Sequence, residues 1–342
     1  MKENKLSKWH LKSIATQILT ADLQVLSGMS RAKTGNHFKK HPSQSDAQVR
    51  NSNSKVFYKY ACGERSINND FLIGEIEKEF PGVTKILDHP LWLILKNPSC
   101  SRKAITKNMQ SLLPSIRSIV CIKEKKEGIY PRRESINTQS LYNISKNNDL
   151  DALACLLMII REMEILKEWA IYTDAKWFAH DLLLRLTYFH PYKIVAEKIY
   201  KIIYALFLSK NILLPIENDF LFWRERHIAP SFIESLESIH QNFSELISNA
   251  KNYGLHAEDQ HSKIKLLYCC SALGLNRLND ALNTNPTTPN SQIFINRLIS
   301  AYNSHSYKSE LMNPEILDIY GPFCKIDSTM SFQHHCRLLE YE

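Results

Sequence analysis

The stretch NSKVFYKYACGERSINNDFLIGEIEKEFPGV, residues 53–83, indicates the fold class most clearly. Residues 71–80 are predicted to form a helix because their large apolar residues share one face at helical spacing: Leu72, Ile73, Ile76 and Phe80. A shorter helix is predicted over 55–61, followed by Gly63 in the left-handed conformation that commonly ends a helix. The polar residues 67–70 supply a turn and an N-cap. The stretch therefore predicts two consecutive helices joined by a short turn.

The flanking sequence repeats this helical pattern. The chain has 342 residues, of which 44% are hydrophobic, so two domains with packed cores are expected. Only 9 glycines are present, which disfavours sandwiches, barrels and glycine-rich nucleotide-binding folds. A helix is predicted over 6–26, and another begins at Pro90 with Asp88 as its cap. Further helices are predicted in the C-terminal half, over about 149–172, 174–189, 192–209, 231–252, 259–273, 290–303 and 313–319. Thr173 is predicted to cap the helix over 174–189.

Two polar stretches interrupt the helical segments. Residues 31–53 are basic and nearly free of large apolar side chains, which predicts a loop or an insertion. Residues 121–147 are also polar and basic, and they are predicted to contain a linker. The predicted fold is all-α, with a basic helical domain over 1–100, a basic linker region over 101–147 and an antiparallel C-terminal helical bundle over 148–342.

Charge is distributed unevenly along the chain. The net charge is +8, but residues 1–135 hold 24 Lys and Arg against 12 Asp and Glu, whereas the remainder is mildly acidic. Such asymmetry predicts that a polyanionic partner, if the protein has one, binds the N-terminal part. The alternative is that the basic half is a solvated surface without a ligand.

Residues 53–83 resemble the end of a phage-repressor-type (Cro/repressor) helix-turn-helix domain. The matching residues are Tyr58, Lys59, Tyr60, Gly63, Glu64, Arg65, Ser66, Leu72, Ile73 and Ile76. In that family the recognition helix lies in the major groove, with its N-terminal residues at the base edges. The resemblance therefore implies DNA contacts from Asn53, Ser54, Lys55 and Tyr58, and phosphate contacts from Lys59 and Arg65.

Helical spacing alone is consistent with this interpretation. One side of the short helix holds Val56, Phe57 and Tyr60, which leaves Lys55, Tyr58 and Lys59 for solvent or a ligand. The alternative is that Tyr58 and Tyr60 are half-buried rings with their hydroxyls in water. A second basic stretch supplies further candidates for contacts with a nucleic-acid backbone, namely Lys123, Lys125, Lys126, Arg132 and Arg133.

Two patterns leave an enzymatic alternative open. The doublet His180-Asp181 occurs in some metal-dependent phosphohydrolases, although packing of His180 and pairing of Asp181 is the simpler interpretation. A zinc cluster near the C-terminus has the wrong spacing for a structural site: Cys324, His334, His335 and Cys336. No cofactor, metal or catalytic residue is therefore predicted.

The resulting hypothesis is a cytoplasmic DNA-binding regulatory or targeting protein, with C-terminal helices for dimerisation or for docking a protein partner. DNA is favoured over RNA, and no membrane partner is expected, since the most apolar window, residues 152–160, is too short to cross a bilayer. One alternative is a helical scaffold or accessory subunit of a larger nucleoprotein, defence or transposition-type assembly. A second alternative is an unrecognised metal-dependent hydrolase.

Overall fold

The fold is seen in a computed structural model that describes residues 8–38, 55–122, 130–133, 135–208, 232–273, 295–296, 298–299 and 302. Within this part of the chain the regular elements are helices. The β-type pairing found there is one isolated antiparallel bridge, between Cys121 and Arg132. The all-α prediction is confirmed.

The helices are named here in chain order. The α-helices are α1 (Lys8–Ser27), α2 (Arg31–Phe38), α3 (55–62), α4 (Asp70–Glu79), α5 (Pro90–Lys96), α6 (Arg102–Met109), α7 (Pro114–Val120), α8 (Thr138–Ser145), α9 (Leu150–Leu166), α10 (Trp169–Tyr188), α11 (Ala196–Ile203), α12 (Phe232–Asn249) and α13 (Gln260–Leu273). Short 3-10 segments cover Val83–Asp88, Tyr192–Val195 and Ala250–Tyr253, and Tyr204–Leu208 is π-helical.

Most predicted helices are present, but two predicted caps are wrong. Helix α5 is capped by His89, whose Nδ1 accepts a hydrogen bond from the Leu91 N–H at 3.1 Å, and not by Asp88. Thr173 lies inside α10, because the chain breaks earlier, at Lys167, which has a left-handed φ of 60°. The helix predicted over 313–319 lies outside the described residues.

The chain divides into two compact units that are not continuous in sequence. Unit 1 comprises residues 1–133, 149–162 and 186–208, and unit 2 comprises residues 134–148, 163–185 and 209–342. The chain passes from one unit to the other within α9 and again within α10. The predicted domains, with boundaries at 100 and 147, were each a single continuous segment of the sequence. None of the helices in the described residues is long and apolar enough to cross a membrane.

The N-terminal core of unit 1 is built from the first four helices. Its fully buried residues are Leu19, Leu23, Phe38, Phe57, Tyr60, Ile67, Leu72 and Ile76. Phe38 comes from α2, although residues 31–53 were predicted to be a loop. Residues 31–38 form a helix because Phe38 supplies an apolar anchor, while Thr34 is buried and donates its hydroxyl to the Ser30 carbonyl at 3.0 Å. Residues 39–54 lie outside the described residues.

Part of the predicted linker region is packed structure in unit 1. Residues 101–120 form α6 and α7, which bury Ile105, Met109 and Ile116 completely. An ion pair between Arg132 and the carboxylate of Glu162 attaches the following segment to α9. Both side chains are largely buried, so the pair is costly to break on one side only.

Unit 2 contains a buried arginine with a complete set of acceptors. Arg185 is 0% exposed and donates to Asp181 Oδ2 through Nε at 3.2 Å and through Nη2 at 3.0 Å. It also donates to Asn148 Oδ1 at 2.8 Å and to the Ser145 carbonyl at 3.1 Å. These contacts join α8 to α10, which is a structural role.

Candidate nucleic-acid interface

Helix α3 has one buried face and one outward face. Phe57 is fully buried and Tyr60 nearly so, and both belong to the N-terminal core. The residues at positions i, i+3, i+4 and i+7 of the opposite side form the α3 outer face, defined as Lys55, Tyr58, Lys59 and Cys62. Lys55 is exposed, the Tyr58 side chain is 54% exposed, and Lys59 and Cys62 are partly exposed. The prediction that Phe57 and Tyr60 turn inward and Tyr58 outward is confirmed.

Hydrogen bonds from α1 fix the position of α3. Ser13 Oγ donates to the Gly63 carbonyl at 2.6 Å, and Gln17 Nε2 donates to the Ala61 carbonyl at 3.1 Å. The Ile67 N–H donates to Thr16 Oγ1 at 3.1 Å. These polar residues of α1 satisfy backbone groups at the end of α3, where a helix leaves carbonyls without intrahelical partners. Helix α3 is therefore held by both its apolar face and its C-terminal end.

Gly63 permits the close approach of α1. Its φ is +76°, in the left-handed region, and an added Cβ would lie 2.7 Å from Gln17 Cδ and 2.8 Å from Ser13 Oγ. A side chain at this position would therefore meet both a backbone penalty and a steric one. Glycine is the residue that allows the turn and the packing together.

Arg31 extends the outer face from α3 to α2. Its guanidinium carbon lies 5.7 Å from the centre of the Tyr58 ring, within the range of a cation–π contact. Lys33, also on α2, is exposed. Sequence analysis did not select either residue, because it assigned 31–53 to a loop. The sequence signal for helix α2 was weak: it consists of Thr34 and Phe38, one helical turn apart, after Ser30.

The segments that form α1, α2 and α3 contain more cations than acids, whereas α4, which packs into the same core, contains Asp70, Glu75, Glu77 and Glu79. Over residues 8–38 and 55–69 the sequence has seven Lys and Arg against two acids, Asp22 and Glu64. Burial raises the pKa of Asp22, and the nearby His190 opposes this shift. A hydrogen bond with Cys62 is the main cause that raises the pKa of Tyr58, which therefore stays a neutral phenol.

The structure does not place all of the other predicted site residues beside the α3 outer face. Arg65 is exposed just after α3. Arg133 is exposed and donates to the Ser118 carbonyl at 3.2 Å. The Arg132 side chain is only 9% exposed and is paired with Glu162, so it is not placed to contact a phosphate. Four of the predicted residues lie outside the described residues: Asn53, Ser54, Lys125 and Lys126.

The structure adds nothing in favour of the hydrolase alternative. Asp181 of the His180-Asp181 doublet is buried, and its Oδ2 accepts two hydrogen bonds from Arg185 in a packing role, while its Oδ1 has no hydrogen-bond partner in the described part of the chain. The part of the chain that the structure describes contains no group of three His, Cys, Asp or Glu residues suited to a metal ion. The C-terminal Cys and His residues of the predicted zinc pattern lie outside that part.

Comparisons with protein-family models, with curated proteins and with solved structures found no match. The resemblance of residues 53–83 to the helix-turn-helix family therefore stays a prediction. The class that the fold defines is an all-α protein. A functional proposal has to depend on the geometry of the α3 outer face and on its charge.

Proposed function

We propose that this chain is a DNA-binding regulatory or targeting protein that inserts the α3 outer face into the major groove. The observation that supports this most strongly is the two-sided character of α3. Its inner face buries Phe57 and Tyr60, and its outer face presents Lys55, Tyr58 and Lys59 to solvent beside Arg31 of the neighbouring helix. Exposed cations next to an exposed tyrosine suit phosphate and sugar contacts.

The dimensions of α3 fit a groove. An α-helix is about 10–12 Å in diameter, which the major groove of B-DNA, about 12 Å wide, admits, and the eight described residues of α3 rise about 12 Å along the helix axis. At about 3.4 Å per base pair, such a segment spans three to four base pairs. Lys55 and Tyr58 lie toward the N-terminal half of α3, so we assign Tyr58 to base edges and the nearest sugars and Lys55 to an adjacent phosphate.

The other cations of this surface are assigned to the phosphate backbone. Lys59, Arg65 and Arg31 are at least partly exposed, and phosphate contacts from such residues fix the register of a helix on the duplex. Four cations in contact with phosphates, these three and Lys55, would contribute a slope of about −3.6 to a plot of log affinity against log salt concentration. Their contribution alone would weaken binding about a hundredfold between about 50 and 200 mM salt.

The test is a fluorescence anisotropy titration of a labelled duplex pool across salt concentrations. Lys55→Gln/Lys59→Gln removes two cations from the α3 outer face and is expected to make the slope less steep by about 1.8. A matched control is Lys78→Gln/Lys201→Gln, which removes two exposed lysines already paired with Glu75 and Glu197. The proposal fails if the wild-type protein binds no duplex, or if both double variants bind equally well.

The helices of unit 2 are proposed to serve dimerisation or the docking of a protein partner. Helix-turn-helix proteins often bind as dimers, with half-sites one helical turn, about 34 Å, apart, and a single copy of α3 spans only part of such a site. Light scattering coupled to size-exclusion chromatography tests dimerisation directly. A monomer in the presence and absence of duplex would contradict it, and preferential binding of RNA would favour the accessory-subunit alternative.

A further inference from the structure

Unit 1 contains a second basic region, and this one has no acidic residue. From His89 to Ile122 the sequence has five Lys and Arg and no Asp or Glu. About one residue in ten of the whole chain is acidic, since 35 of 342 are Asp or Glu, so a span of this length would ordinarily contain three or four. Most of these cations are on or near α6, whose sequence RKAITKNM is basic throughout.

Helix α6 has a buried apolar face and a charged outer one. Ile105 and Met109 are fully buried, and these residues anchor the helix in unit 1. The exposed cations form the α6 basic face, defined as Arg102, Lys103 and Lys107. Lys103 and Lys107 are one helical turn apart and therefore project from the same side.

Helix stability does not explain the placement of these charges. Arg102 and Lys103 occupy the first turn, which contains no acidic residue, and the positive end of the helix dipole disfavours cations there. Arg102 is anchored through Nε, 3.3 Å from Glu162 Oε1, yet its side chain is still 52% exposed. Lys103 and Lys107 form no ion pair with a carboxylate in the described part of the chain. Their charges are therefore available to an external anion.

We propose that the α6 basic face is a second contact surface for the phosphate backbone of the duplex DNA that α3 binds. This inference rests on the proposed function and deepens it by separating two kinds of contact. The α3 outer face reads the groove, whereas the α6 basic face binds phosphates without regard to sequence. Exposed lysines suit such a sequence-independent, salt-sensitive contact.

The test compares the duplex affinities of wild type and Lys103→Gln/Lys107→Gln at several salt concentrations. Loss of two phosphate contacts should make the salt slope less steep by about 1.8, so the ratio of affinities at about 50 and 200 mM salt should fall about tenfold. The loss should be the same for every duplex sequence. Lys78→Gln/Lys201→Gln, with the same change of net charge, is the control, and circular dichroism verifies folding.

The possible outcomes separate this inference from the function on which it rests. If the α3 double variant loses affinity while the α6 double variant matches the control, the α6 surface is refuted and the α3 interface stands. If only the α6 variant loses affinity, the α3 proposal fails and the α6 surface is the binding site. If the wild-type protein binds no duplex at all, both are refuted.

Discussion

Gly63→Ala tests the packing that fixes the orientation of α3. Alanine at a φ of +76° costs about 1–2 kcal/mol, because the left-handed conformation brings Cβ close to the following carbonyl. The new Cβ would also lie 2.7 Å from Gln17 Oε1 and 2.8 Å from Ser13 Oγ, so both side chains must move. Each donates a hydrogen bond to the end of α3, and each bond contributes about 0.5–1.5 kcal/mol. Together these terms predict a loss of about 2–5 kcal/mol in the free energy of unfolding.

The Gln17 side chain is not free to move away cheaply. Its Nε2 donates to the Ala61 carbonyl, and its Oε1 accepts a hydrogen bond from Lys198 Nζ at 3.0 Å. Gly63→Ala/Gln17→Ala removes the clash with Gln17 but leaves the clash with Ser13 and the backbone penalty. The double variant is therefore expected to be less destabilised than the sum of its two single variants.

The assay is urea denaturation followed by circular dichroism, with Gly74→Ala as the control. Gly74 lies inside α4, and an added Cβ there meets no atom within 4 Å. Alanine at that position should stabilise the protein by about 0.5–1 kcal/mol, since glycine is unfavourable in a helix interior. The reasoning is refuted if both glycine variants change stability in the same direction, or if Gly63→Ala costs less than about 0.5 kcal/mol.

Three further predictions concern unit 1 and unit 2. Arg132→Met leaves the buried Glu162 carboxylate without its main partner and should cost about 3 kcal/mol in urea denaturation, whereas Arg132→Met/Glu162→Met should recover most of that loss. Burial lowers the pKa of Lys176 from 10.5 to about 8, so unfolding takes up a proton between these values and the free energy of unfolding should rise with pH from about 8 to 10.5. Lys176→Met should abolish this rise. Allowing for the partial exposure of the lysine, it should also stabilise the protein at pH 7 by about 1–2 kcal/mol. A variant with the same pH profile as the wild type would contradict the lowered pKa of Lys176. In mass-spectrometric mapping of maleimide labelling, Cys62 should react before the buried thiols, Cys100, Cys121 and Cys155, and simultaneous labelling would contradict the described packing.

The sequence was most informative where periodicity and capping agree. Helix α4 is an example: Asn69 caps it, with its Oδ1 accepting from the Leu72 N–H at 3.2 Å, and Leu72 and Ile76 are buried as their spacing predicts. The inward and outward faces of α3 were predicted for the same reason. Local pattern is sufficient in these cases because each helix has a clear apolar face.

The sequence was less informative where long-range contacts decide the structure. Arg132 was predicted to contact nucleic acid, but its partner Glu162 lies 30 residues away in the chain and no local pattern reveals the pair. Helix α2 has a single large apolar residue, Phe38, and is fixed by packing against the N-terminal core. The contact between Arg31 and Tyr58 was missed with it, because composition alone describes residues 31–38 as polar.

The most direct measurement of the central claim is the rate of Cys62 alkylation with and without duplex DNA. Cys62 lies on the α3 outer face, one helical turn beyond Tyr58, and it is partly exposed. The account predicts that saturating duplex slows alkylation of Cys62 several-fold, and that this protection disappears as salt releases the DNA. An unchanged Cys62 rate in a complex shown by anisotropy to be saturated would contradict the claim that α3 occupies the groove.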